Sequence, residues 1–151
     1  MSQPQANNPL SRQTLDQRRA KHAWEAIKHL EQYNNEVAVT YAREAKKLPS
    51  RIMTSGLGQA LAFINAKAKK DKDDNDKNLA YKELLNNIND WVLLKRPINA
   101  KGPEPGNLLA SIIENNSDFF RRATDETLAY LQWINRFAEA EGLTDETGQE
   151  G

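Results

Sequence analysis

Residues 14–30 read TLDQRRAKHAWEAIKHL, and this stretch sets the fold class. Ala20, Ala23, Trp24, Ile27 and Leu30 recur at i, i+3, i+4, i+7 and i+10, the spacing that lines one face of an α-helix. Thr14, with Gln17 three residues on, has the form of a capping box and starts the helix. The opposite face carries Arg18, Lys21, His22, Glu25, Lys28 and His29 and is mostly basic.

Working outward, Asn34-Asn35 breaks the pattern and a second helix follows, with Ala38, Tyr41, Ala42 and Ala45 inside and Arg43, Lys46 and Lys47 outside. Leu48-Pro49 predicts a corner, because proline suits the first turn of a helix and pushes the residue before it out of α geometry. The third helix then runs through Ile52, Met53, Leu57, Ala60, Leu61, Phe63 and Ile64 to Ala68. Being apolar nearly all round, it reads as the buried central helix. Gly56 and Gly58 inside it point first to a closely packed neighbour and second to a ligand near the backbone. A fourth helix shows Tyr81, Leu84, Leu85, Ile88, Trp91 and Val92. After a Pro/Gly loop at 95–106, Asn107 caps a short helix. Ser117 is expected to cap the longest helix, with Phe120, Ala123, Thr127, Tyr130, Leu131, Ile134, Phe137 and Ala138 buried and Gly142 at its end. The reading is one domain at 14–142 between polar tails at 1–13 and 143–151, both expected to be disordered.

Composition agrees. In 151 residues there are 16 Leu and 18 Ala but only 3 Val, which favours helices over strands. The expected fold is an all-α, single-domain bundle of about six helices. Its core includes Trp24, Leu57, Phe63, Leu84, Trp91, Tyr130, Ile134 and Phe137. There is no cysteine, so disulfides, thiol nucleophiles and Cys-based zinc sites are excluded. No apolar run approaches the ~20 residues of a membrane span, and the polar N-terminus has no signal-peptide stretch. A cytoplasmic protein without membrane contact is expected.

Catalytic chemistry is hard to find. His22 and His29 are seven residues apart, whereas metal-binding pairs on a helix stand closer, so both read as solvent side chains. The run DKDDNDK at 71–77 imitates a calcium loop, but Asp76 stands where glycine is needed and Lys82 where glutamate is needed. No phosphate loop or nucleophile elbow appears. The three tryptophans read as core before base-stacking platforms. No catalytic residue, metal or cofactor is expected.

Charge is more informative. The formal net charge is +0, yet residues 1–70 carry twelve basic and five acidic side chains and residues 71–151 nine and sixteen, balances of +7 and −7. The basic half suits phosphate contacts that do not read sequence, and the split also suits charge-steered self-association.

Residues 48–67 read LPSRIMTSGLGQALAFINAK. This resembles the central motif of the small helical subunit, the fifth Cmr subunit, of type III-B CRISPR effector complexes. Leu48, Pro49, Ile52, Gly56, Leu57, Leu61, Ala62, Phe63 and Lys67 fill the pattern, and Ser55 departs from it. Residues 123–140, ATDETLAYLQWINRFAEA, resemble the family's C-terminal helix through Trp133, Arg136 and Phe137. The resemblance implies a helical bundle without activity of its own. It implies copies stacked into a minor filament beside the large subunit and the guide-holding backbone subunits, with target RNA and guide RNA in the channel between. The residues expected to meet RNA are Arg18, Lys21, Lys46, Lys47, Arg51 and Lys67, with Lys46, Lys47 and Arg51 gathered at the Pro49 corner. A free-standing helical adaptor that binds only protein is the alternative.

Overall fold

A computed structural model describes residues 13–69, 75–95 and 107–143. Apart from Gln13 and Leu143, the two expected tails lie outside the described residues, as does most of the 95–106 loop and of the acidic loop at 71–77. The elements are α1 (Leu15–His29), a 3₁₀ turn (Leu30–Gln32), α2 (Asn35–Ser55), α3 (Leu57–Lys69), α4 (Asp76–Asn89) running into a π-helical turn (Asp90–Lys95), α5 (Leu108–Glu114) and α6 (Ser117–Ala140). The protein is the expected all-α bundle. α1 packs on α6, α3 on α4 and α5, and α2 lies between these groups against α3, α4 and α6.

Helix starts follow the sequence closely. Thr14 and Gln17 close the capping box with bonds of 2.8 and 3.0 Å. Asn34, Asn75, Asn107 and Asn116 cap α2, α4, α5 and α6, each accepting a backbone N–H three residues on. For α6 this corrects the expected cap from Ser117 to Asn116, whose amide oxygen accepts from Phe119 N at 2.9 Å.

The expected corner at Pro49 is absent. Proline lies inside α2, and the helix continues for six residues beyond it. A proline in a helix interior leaves the carbonyl four residues back without its N–H partner. That carbonyl belongs to the buried Ala45, and Asn135 from α6 donates its amide N–H to it at 3.0 Å. A long-range side chain thus replaces the bond that proline removes. The true break is Gly56, with φ of 91° and its N–H on the Ile52 carbonyl at 2.8 Å. Its left-handed conformation is the reason for glycine there. A Cβ at Gly56 or Gly58 would meet nothing within 4 Å, so close packing is not the reason at either position. The central helix is consequently α2 rather than the one after Pro49.

A polar network joins α1, α6 and the π turn. Glu126, buried on α6, accepts Arg19 Nε at 2.7 Å and Nη2 at 2.9 Å, and also the Trp91 indole N–H at 2.7 Å. Arg19 reaches Asp16 at 2.6 Å, and Asp16 accepts the Trp133 indole N–H at 3.0 Å. His22 is not a solvent side chain. It is half-buried between Tyr130 Oη and Asp90 Oδ2, both at 2.7 Å. Burial, then the charges of Tyr41 and Asp90, hold the Tyr130 hydroxyl well above its ordinary pKa. It stays protonated beside His22 Nδ1, while His22 Nε2 lies against the Asp90 carboxylate.

On α1 the expected Ala23, Ile27 and Leu30 are buried and Ala26 joins them, but the network shifts the buried side enough to correct the core elsewhere. Leu57, Leu84, Trp91, Tyr130 and Ile134 are buried. Trp24 is 38% exposed, because the buried side of α1 turns toward Arg19 and His22. It packs edge-on to Phe137 at 5.1 Å under Lys28, and Phe137 is only half-buried, stacked on Trp133. Phe63 is 37% exposed, Phe120 faces outward while Phe119 takes the buried position, and Met53 is 76% exposed on the rim of a groove with Pro49, Trp133 and Arg136.

Asn135→Ala should lower stability by about 1–3 kcal/mol, the cost of orphaning a buried carbonyl. In a Pro49→Ala background, where residue 49 regains an N–H, the same change should cost less. Chemical denaturation of the four proteins as a double-mutant cycle checks the coupling.

Candidate nucleic-acid interface

An uninterrupted α2 arranges the basic side chains differently from a corner. Arg43, Lys47 and Arg51 recur every four residues and so share one stripe, about 6 Å apart along the axis. Between them Glu44 points inward and is 5% exposed. Its carboxylate takes Arg51 Nη1 at 3.1 Å, Lys47 Nζ at 3.9 Å and the hydroxyl of Tyr81 from α4. Burial pushes the Tyr81 hydroxyl up in pKa, and the adjacent Glu44 charge adds to it, so that hydroxyl remains a donor. The buried charge of Glu44 is thereby compensated, and Arg51 is held at a fixed point on the surface.

Arg51 projects over α3. Its Cζ lies 4.3 Å from the centroid of the Phe63 ring, and Lys67 Nζ, one turn along α3 from Phe63, lies 5.4 Å from it. Both distances are within cation–π range. The exposed face of the α2–α3 pair therefore presents an aromatic ring attended by two cations, with Lys47 and Arg43 continuing the charge along α2.

Of the six basic residues expected at RNA, the structure brings together Lys47, Arg51 and Lys67. Lys46 is exposed but stands five residues before Arg51, off the stripe. Arg18 and Lys21 lie on α1, which packs on α6 and not beside α3, and Lys21 is engaged with Glu25 at 3.4 Å. The sequence reading set Arg43 on the basic outer side of the second helix without counting it among the six, did not single out Glu44, and placed Phe63 in the core. For Glu44 a signal existed: it stands three residues after Tyr41 and four before Leu48, on the buried side of α2.

Among the described residues, no three of His, Asp and Glu converge so as to hold a metal ion, and no helix is long and apolar enough to cross a membrane.

Comparison with known proteins gives two findings. The family model described as CRISPR-associated protein (Cas_Cmr5) matches residues 15–141. The chain is also similar to a crystal structure of a CRISPR-associated Cmr5 family protein from Thermus thermophilus, with 28% sequence identity and a TM-score of 0.63 over 85% of this chain and 96% of that one.

Arg51→Ala should cost about 1–2 kcal/mol, because it strips the buried Glu44 of its closest cation while Lys47 and Tyr81 remain. Lys46→Ala should stay within about 0.5 kcal/mol, as surface substitutions do. Thermal or urea unfolding of the two variants separates the anchored cation from the free one.

Proposed function

The chain belongs to the Cmr5 family of CRISPR-associated proteins, the small subunit of type III-B effector complexes, and from that premise we propose that it stacks with copies of itself into a minor filament and helps to hold target RNA along the guide. In this reading the subunit does no chemistry. It works in the cytoplasm beside the large subunit and the guide-holding backbone subunits, and cleavage belongs to other chains.

The observation that supports RNA contact is the meeting of the Arg43–Lys47–Arg51 stripe with Lys67 on one face. Phosphates are bound by such a face through charge and counterion release, with no demand on base sequence. Lys46 can extend the face only from around the helix, and Arg18 and Lys21 form a separate basic surface on α1. That second surface suits contact with a neighbouring copy, given the +7 and −7 balances of the two halves of the chain. A free-standing adaptor is the weaker reading, since membership of this family supports assembly with the other Cmr subunits.

The structure also changes which variants test the proposal. Reversing the charge of Arg51 would set a second acid against buried Glu44 and confound binding with folding. Lys47→Gln/Lys67→Gln removes two cations and leaves the Glu44–Arg51 pair in place. Complexes rebuilt with this subunit should bind target RNA more weakly. The slope of log K against log salt should flatten by about 0.7 for each lost single-strand phosphate contact. Unchanged slope and affinity would remove these residues from the RNA path, and failure to assemble would reassign them to contacts between subunits.

A further inference from the structure

We infer that the Phe63 ring is a stacking platform for an unpaired RNA base. The inference rests on the reading that this face meets RNA, and adds that it takes the base as well as the phosphates. A phenylalanine left 37% exposed in the middle of a helix gives up burial that a bundle of this size would ordinarily claim. Nothing about phosphate binding requires it, because a phenyl ring offers no charge and no donor. What it offers is a flat π-surface.

Its surroundings favour a nucleotide over a protein partner. The core of a protein–protein contact is depleted of lysine, whereas this ring has Lys67 Nζ at 5.4 Å, with Lys47 one turn from the Arg51 that covers it. A nucleotide carries both elements that such a site complements: a flat base for the ring and the guanidinium stacked on it, and phosphates for Lys67 and Lys47. The base must be unpaired and unstacked, since the faces of bases within a duplex are hidden.

The site is also preorganised unequally on its two sides. Arg51 spends one donor on Glu44 at 3.1 Å, and Glu44 is fixed in turn by Tyr81. The guanidinium is thus held against the ring and forms part of the platform. Lys67 has only its own flexible stem, so its ammonium can follow a phosphate while the base takes its place at the ring. Arg51 then contributes a planar surface and Lys67 a mobile charge, which is how arginine and lysine differ in general.

The test uses the full-length chain at low salt with two probes, a single-stranded oligouridylate and an abasic ribose-phosphate oligomer of the same length. Wild type should prefer the base-bearing probe. Phe63→Leu should weaken that probe by about tenfold, the effect of one lost base–aromatic stack, and leave the abasic probe unchanged. Phe63→Trp should retain the preference, and thermal melting should show each variant folded. No wild-type preference for the base-bearing probe, or equal losses on both probes in Phe63→Leu, overturns the inference. So does a Phe63→Leu subunit that binds RNA normally but drops out of the rebuilt complex, because the ring is then a protein contact. Lys47→Gln/Lys67→Gln should weaken both probes alike. If that pair has no effect while the Phe63 result stands, the phosphate reading fails alone. If the pair has its effect and Phe63→Leu does not, the platform fails alone.

Discussion

Asn135 donating to the Ala45 carbonyl is the bond on which the arrangement of this surface depends. Proline would ordinarily end a helix or bend it, and a chain that turned at Pro49 would assign Lys47 and Arg51 to different elements. With the orphaned carbonyl satisfied from α6, α2 runs on to Ser55 and keeps one face along its length. That face supplies both the buried Glu44 and the arginine it anchors. The turn comes instead at Gly56, where a positive φ sends α3 back so that Phe63 falls beneath Arg51. Asn135 is in turn placed by α6, which the Arg19–Glu126 pair fastens to α1. The candidate face on α2 and α3 is therefore positioned by contacts on the far side of the bundle.

Two buried carboxylates solve one problem in the same way. Glu126 is met by Arg19 through two nitrogens and by the Trp91 indole; Glu44 is met by Arg51, Lys47 and the Tyr81 hydroxyl. In each case a carboxylate on one helix gathers a cation and an aromatic donor, the aromatic donor coming from another element. Removing the arginine of either pair leaves charge in low dielectric, so the pairs specify geometry more surely than they add stability. In a chain with 28% charged residues such acids look like solvent residues one at a time. Their phase is the signal: Glu126 stands three residues after Ala123 and four before Tyr130, on the buried side of α6.

Features governed by neighbours in sequence were legible. Three of the six helices begin at caps or breaks visible in the sequence, and the periodicity of Ala38, Tyr41, Ala42 and Ala45 gave the buried side of α2 correctly. What failed depended on partners distant in sequence. Pro49 reads as a corner because its rescuer lies 86 positions away. Trp24, Phe63 and Phe137 read as core because a large apolar residue at helical spacing has no sequence mark that distinguishes it from an exposed one. Lys67 at i+4 from Phe63 was visible; Arg51 above the same ring was not, because its approach requires the Gly56 turn. The basic residues were legible as a class and not as a site: three of the six named share the α2–α3 face and the others do not.

A subunit that accompanies guide-directed recognition has reason to avoid reading bases itself. Where pairing with a guide supplies sequence specificity, any base preference in the protein would restrict the targets that the assembly could accept. Phosphate contacts carry no sequence information, and aromatic stacking carries little, because every base has a π-face. The α2–α3 face offers these two chemistries and no donor-acceptor pocket for a base edge among the contacts described. A few cations and one ring bind weakly in a single copy. Repeated along the proposed filament, the same contacts would become intramolecular after the first, and the total would grow through effective concentration without any site becoming selective. In the proposed filament, sequence tolerance and modest affinity per copy would follow from the same composition of the face, and the hold on RNA would be set by the number of copies.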